Sequence, residues 1–220
     1  MFAVNTYEEI ERREKEINKK HIVILLFVRP SLPNANDIIN EFEYIHYNSG
    51  EYCSIYAVGY TNDYMLANYD KTYKETTSVD NSQWYFSNKV FVDFKNNLEN
   101  RLKWEYSGNA ELIILQSNPL GKSILNFQNY IPLDINYGLK EGYLDTFNKF
   151  MESLIRSSKK NSEVFPVSWE LSNERIKIRE VLAEAIDDCK KVPTPVRKIL
   201  KNKLFFIPNS NKRKRINLSK

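Results

Sequence analysis

Cysteine and histidine are scarce in this 220-residue chain, two of each, and their scarcity removes whole classes of chemistry. Cys53 and Cys189 lie far apart and neither belongs to a C-x-x-C pair, so no disulfide scaffold or dithiol redox centre is expected. With only His21 and His46 beside them, the common zinc spacings cannot be assembled, and no metal site is expected. No apolar run approaches the roughly 20 residues that span a bilayer. Met1-Phe2-Ala3-Val4 leads into a charged segment without the apolar centre of a signal peptide, so the expected location is cytoplasmic. Glycine-rich phosphate loops are missing too. Gly121-Lys122-Ser123 mimics the end of one, but Gln116 stands where its first glycine belongs, and the segment reads as a turn. No cofactor is expected.

One end of the chain lacks acid. From Lys190 to Lys220 there are eleven Lys or Arg and no Asp or Glu, leaving 21 basic and 28 acidic residues in 1–189, a net of −7. The overall +4 therefore hides an acidic body and a basic tail. Lys212-Arg213-Lys214-Arg215, on a terminus of disordered composition from Asn209 to Lys220, suits solvation, weak nonspecific contact with nucleic acid, a membrane surface, or docking on an acidic protein surface, including this protein's own.

What is present defines a fold class. His21 to Val28 is a near-continuous apolar run, stopped by Arg29-Pro30-Ser31-Leu32-Pro33-Asn34. Ile38, Ile39, Phe42 and Ile45 follow at helical spacing, Ser49-Gly50 breaks the pattern, and Tyr52 to Val58 is a second buried-strand run. Strand, helix and strand make a βαβ unit with a right-handed crossover. Before it, Thr6 to Lys20 reads as a capped helix with Tyr7, Ile10 and Ile17 inward. After it, Tyr60 to Gln83 is polar and without periodicity, a long irregular insertion. A helix is predicted from an N-cap at Ser87 to Trp104, and a strand from Ala110 to Leu115. A turn at Asn118–Gly121 and a paired strand over Ser123–Ile135 follow, with Pro132 limiting that strand's far end to an edge or a bulge. Leu139, Tyr143, Leu144, Phe147, Phe150, Met151, Leu154 and Ile155 form one amphipathic helix reaching Ser158. The expected organisation is an α/β domain over 1–160, a helical extension over 161–208 that includes a helix capped by Ser172, and the tail 209–220.

The order helix, strand, helix, strand, helix, strand, hairpin strand, helix over 6–158 resembles the thioredoxin-like fold, a mixed sheet flanked by helices. Val28-Arg29-Pro30-Ser31-Leu32-Pro33-Asn34 falls where that family carries C-x-P-C at a strand-to-helix turn. Pro33 matches the motif's proline, while Ser31 and Asn34 stand at the two cysteine positions. Where the family places a cis-proline before its hairpin, this chain reads Gly108-Asn109-Ala110. The resemblance implies a redox-inactive member, since thiol–disulfide exchange needs a thiolate and a resolving thiol.

Each candidate site has a plainer reading. Ser31 could act as a nucleophile or hold an anion at a helix start, or serve simply as a turn residue. Glu111 and Asp134 could form a carboxylate site for a metal-dependent nuclease, although the lysine of the usual Glu-x-Lys is missing. Nine of fourteen tyrosines lie between Tyr44 and Tyr85, and Tyr60 and Tyr64 among them could form a binding face or pack in the core. Trp84, Trp104 and Trp169 read as core. Two functions compete. The first is a non-enzymatic interaction or adaptor subunit binding another protein, of the kind used in bacterial multiprotein (defence-type) systems. The second is an enzyme acting on nucleic acid or nucleotide through a carboxylate site. A cleft holding clustered carboxylates favours the enzyme, and an exposed apolar patch favours the adaptor.

Overall fold

A computed structural model describes residues 1–102, 104–160, 162 and 164. Trp169, the helical extension, and Lys212, Arg213, Lys214 and Arg215 lie outside the described residues.

The chain is mixed α/β. Strand β1 (Phe2–Val4) leads to helix α1 (Tyr7–Ile17) and the apolar run forms β2 (Ile22–Phe27). Thr6 caps α1 by accepting from the Glu9 amide at 3.3 Å, and Asn18, in the left-handed conformation at φ 47°, ends it. Two short helices follow, α2 (Ala35–Ile39) and α3 (Phe42–Ser49), then β3 (Cys53–Val58). The single helix expected here is broken at Asn40–Glu41, and its inward residues Ile38, Ile39, Phe42 and Ile45 stay buried on both pieces.

Gly59 is the pivot of the fold. At φ +82° it turns the chain from β3 into β4 (Tyr60–Thr61), and an added Cβ would lie 2.8 Å from the Phe91 Cβ. The stretch expected to be irregular is structured: helix α4 (Tyr64–Tyr69), then strands β5 (Tyr73–Val79) and β6 (Ser82–Ser87), making a second antiparallel sheet in the order β4-β6-β5. Asp80 and Asn81 join β5 to β6 with φ of 51° and 57°, the backbone of a two-residue hairpin turn that Asp and Asn tolerate.

Helix α5 (Asn88–Arg101) starts at the predicted cap, where the Ser87 Oγ accepts from the Val90 amide. Strand β7 (Glu111–Gln116) and β8 (Ile131–Asp134) complete the main sheet, ordered β1-β3-β2-β7-β8. β1 and β2 both run parallel to β3, while β7 is antiparallel to β2 and β8 to β7. Pro132 lies on the edge strand β8, as expected, since an edge position needs no second amide donor. The paired strand itself is shorter than 123–135: after the Asn118–Gly121 turn only a bridge between Ser117 and Leu125 pairs, and regular pairing resumes at Ile131. The predicted 139–158 helix is two, α6 (Ile135–Lys140) and α7 (Phe147–Lys160), separated by a turn in which Gly142 has φ +69°.

Strand periodicity places the helices. Leu25 and Tyr56 are register partners, so Phe27 and Tyr56 share one face. Phe27 meets Phe91 and Phe94 of α5, and Tyr56 meets Glu14 of α1. Cys53, of opposite parity, faces Ser158 of α7, which packs with α2 and α3. An aromatic wedge of Phe42, Tyr60, Trp84, Phe86 and Phe91 joins the second sheet to this core. No helix among the described residues is long and apolar enough to cross a membrane.

Candidate functional site

The loop that carries Ser31 lies at the carboxyl end of β2. It is closed by turns from the Leu32 amide to the Arg29 carbonyl (3.0 Å) and from the Ala35 amide to the Leu32 carbonyl (3.1 Å), with Asn34 left-handed at φ 61°. Two other segments converge on it. Arg29 donates to the Gly108 carbonyl at 3.2 Å, and Asn136 donates to the Pro33 carbonyl at 3.4 Å. Ser31, Pro33 and Asn34 are exposed there. The helix that follows has only five residues and its Asn34 cap makes no side-chain bond, so the anion-holding role considered for Ser31 lacks a helix to supply it. Both histidines are engaged elsewhere. His21 is buried elsewhere, and His46 bonds the Met1 carbonyl at 3.0 Å with Asp80 3.8 Å away.

Tyr60 is a correction to the sequence reading. It is wholly buried, its ring meets Phe42 edge-on and Phe86 at a tilt, and its hydroxyl donates to the Val28 carbonyl at 3.1 Å. It supports the loop from beneath and presents nothing to a partner. Burial raises its hydroxyl pKa far above the ordinary tyrosine value.

Glu111 and Asp134 are brought together as directly opposed residues of β7 and β8. Both are buried, and their oxygens are occupied. Glu111 accepts from Trp104 Nε1 at 2.8 Å and from the Ser107 amide at 2.7 Å. Asp134 accepts from Asn109 Nδ2 at 2.7 Å and, as the cap of α6, from the Tyr137 amide at 2.8 Å. Burial pushes the Glu111 carboxyl up to about 7, with Asp134 adding to the rise and the two N–H donors opposing it. This pair fastens the 107–109 loop to the sheet. Among the described residues no group of three or more His, Cys, Asp or Glu could hold a metal ion.

A second polar cluster lies at the opposite end of β2. Tyr56 donates to Glu14 Oε1 at 2.7 Å, while His21 Nε2 is 2.8 Å from Ser54 Oγ and 3.3 Å from Glu14 Oε2. All four are buried. A serine, a histidine and an acid in contact invite a catalytic reading, but the geometry is wrong for a relay. In a relay the hydroxyl and the carboxylate address different ring nitrogens. Here both address Nε2, and Nδ1 is taken by the Lys19 carbonyl at 2.9 Å. Burial would raise Glu14, yet the hydrogen bond and charge of His21, then the bonds of Tyr56 and Ser54, hold its carboxyl below the ordinary value. The cluster is a clip between α1, β2 and β3. Its signal in the sequence is Glu14 itself, an acid on the inward stripe Tyr7, Ile10, Glu14, where the next stripe member Ile17 proves 42% exposed.

Among the described residues, four of the exposed large apolar side chains gather on α4. Asp63 caps this helix by accepting from the Leu66 amide at 3.0 Å, and Asp70 at its end accepts from the Thr72 amide at 2.9 Å. Of its six residues only Ala67 is buried. Tyr64 is 63% exposed, Met65 75% and Tyr69 91%, with Leu66 beside them and Tyr85 of β6 behind Tyr64 at 6.5 Å between rings. Tyr64 shares this exposed patch with Tyr69, another of the nine clustered tyrosines, and with Met65, which no sequence pattern singles out. No family model, no curated protein and no solved structure matches this chain.

Proposed function

We propose that this chain is a non-catalytic protein-interaction subunit built on a redox-inactive thioredoxin-like scaffold. The scaffold reading is supported by a parallel βαβ pair followed by an antiparallel hairpin in one sheet, with Ser31 and Asn34 on the loop where the resemblance calls for cysteines. The interaction reading rests on one observation, the α4 surface of Tyr64, Met65, Leu66 and Tyr69. Tyr64, Met65 and Tyr69 turn most of their surface to solvent on a six-residue helix, and Tyr and Met are residue types enriched at protein interfaces. The enzyme reading rests on Glu111 and Asp134, whose oxygens are already bonded within the fold.

The test is a triple variant, Tyr64→Ser, Met65→Ser and Tyr69→Ser. Because these side chains are exposed, melting should shift little. A partner identified by co-purification from the native host, then purified, should bind the variant at least tenfold more weakly than the parent. A partner that binds both equally would overturn the assignment of this surface.

A further inference from the structure

Between β1, α1, α3 and the β5–β6 turn lies a cleft of about 140 Å³, the room of roughly five water molecules. Two of its polar groups are already engaged. Asp80 accepts from the Tyr47 hydroxyl at 3.0 Å and lies 3.8 Å from His46 Nε2, and His46 Nδ1 donates to the Met1 carbonyl at 3.0 Å. Four others are not. The side chains of Arg13, Asn62, Ser82 and Trp84 line the cleft and make no hydrogen bond or salt bridge with any described residue. Trp84 is only 3% exposed, so its unpaired indole N–H is a donor held in the wall of the cleft. The Arg13 guanidinium lies 4.7 Å from the centre of the Phe2 ring, with Nε closed to water and without a hydrogen-bond partner. An arginine on a helix surface ordinarily carries its charged head into water, where all five N–H groups are hydrated. Here the head is drawn inward at the expense of one hydrogen bond, leaving its Nη donors open to a ligand.

We propose that this cleft binds a short-chain monocarboxylate, with its oxygens on the Arg13 Nη donors, the Trp84 indole N–H, Asn62 and Ser82. The donors select the chemistry. A guanidinium, an indole N–H, an amide and a hydroxyl together call for an acceptor that carries negative charge, and a planar carboxylate matches the paired N–H groups of arginine. Asp80 limits that charge, since a dianion in so small a space would face a carboxylate already in place. Phe2 and Val79 supply an apolar wall for a short aliphatic remainder, and the volume admits no more than about five heavy atoms. The site is separate from the α4 surface and does not rest on the interaction reading. Its walls come from the edge of the main sheet and from the hairpin turn of the second, so an occupant bridges the two sheets and stabilises the fold by its binding free energy.

The experiment uses the full chain, with sodium acetate and sodium propionate as probes and sodium chloride at matched ionic strength as the reference. The Trp84 Nε1–H and Arg13 Nε–H signals are followed by nitrogen–proton correlation NMR. Both carboxylates should shift the two signals saturably, with half-saturation near about 1 mM, within reach of a ligand of so few atoms. Inorganic phosphate at pH 8, mostly the dianion, should bind at least about tenfold more weakly than acetate. Arg13→Gln should weaken acetate binding at least about tenfold, read at Trp84, while the ligand-free melting point stays near that of the parent. Should Arg13→Gln fail to fold, the double variant Asn62→Ala, Ser82→Ala carries the test, because neither side chain has a partner in the fold, and it should weaken acetate severalfold. Shifts that match those of chloride, or a folded variant that binds acetate as the parent does, would overturn the site. Phosphate binding as tightly as acetate would overturn the carboxylate assignment.

Discussion

Removing the Glu14 carboxylate tests whether the buried cluster is a clip. Glu14→Ala leaves the buried Tyr56 hydroxyl without the acceptor it meets at 2.7 Å and removes the carboxylate that lies 3.3 Å from His21 Nε2, in a site closed to water. Orphaning a buried donor costs about 1–3 kcal/mol and the cavity left by the lost side chain adds to it, so a total of about 3–5 kcal/mol is expected. In a chain of this size each kcal/mol moves the melting point by roughly 2–4 °C, so a fall of about 6–20 °C is expected. Tyr56→Phe removes a single hydrogen bond to a charged group and should cost less, about 1.5–3 kcal/mol. Trp84 and Trp104, both buried, supply the fluorescence signal for urea titration. The pH dependence gives a second reading. Glu14 is held below its ordinary value of 4.5 in the folded state, so its contribution is complete above about 4.5 and is lost as pH falls through the folded value. Glu14→Gln should flatten that acid limb. A loss under about 1 kcal/mol for Glu14→Ala, or an unchanged acid limb in Glu14→Gln, would refute the clip.

Glu111 titrates with the opposite sign: with its folded value at about 7 against 4.5 unfolded, its contribution is complete below 4.5 and disappears as pH rises through 7, a fall of roughly 3 kcal/mol that Glu111→Gln should abolish in pH-resolved urea titrations. Gly59→Ala forces a Cβ to 2.8 Å from the Phe91 Cβ at φ +82°, and should cost about 2–4 kcal/mol. A near-neutral melting curve would show that the pivot is looser than drawn. In an insulin-reduction assay the protein should give no turnover above buffer, since Ser31 and Asn34 occupy the loop and Cys53 is buried. Activity abolished by alkylation would contradict the redox-inactive reading.

Legibility in the sequence followed where each element's partners lie. β2 is apolar along its whole length, and β3 is apolar but for Ser54, because both faces are covered, and such a run is visible without any partner. The second sheet was hidden for the converse reason. β5 is buried only at its two ends, Tyr73 and Val79, so Lys74 to Ser78 give no alternation, and the turn at Asp80–Asn81 was the one local sign of a hairpin. The stripe from Leu139 to Ile155 read as one helix because α6 and α7 turn apolar residues toward the same core, and the stripe conceals the break at Gly142. The Ser31 loop was found from its prolines. The Glu14 cluster was not, because Glu14, His21, Ser54 and Tyr56 come from three elements and only the fold joins them.

Cys53 sits on β3, inside the main sheet between β1 and β2, and burial lifts its thiol pKa to about 12. Only the thiolate reacts, so at pH 8 a native molecule presents about one reactive sulfur in 10⁴, and that sulfur is shielded by α7. Alkylation of the Cys53 peptide therefore proceeds through molecules whose sheet has opened, with a rate equal to the exposed-thiol rate multiplied by the open fraction. Each tenfold slowing corresponds to about 1.4 kcal/mol of opening free energy. The one described cysteine is thus a built-in timer of how often the sheet comes apart under native conditions, readable without denaturant and comparable across every variant above.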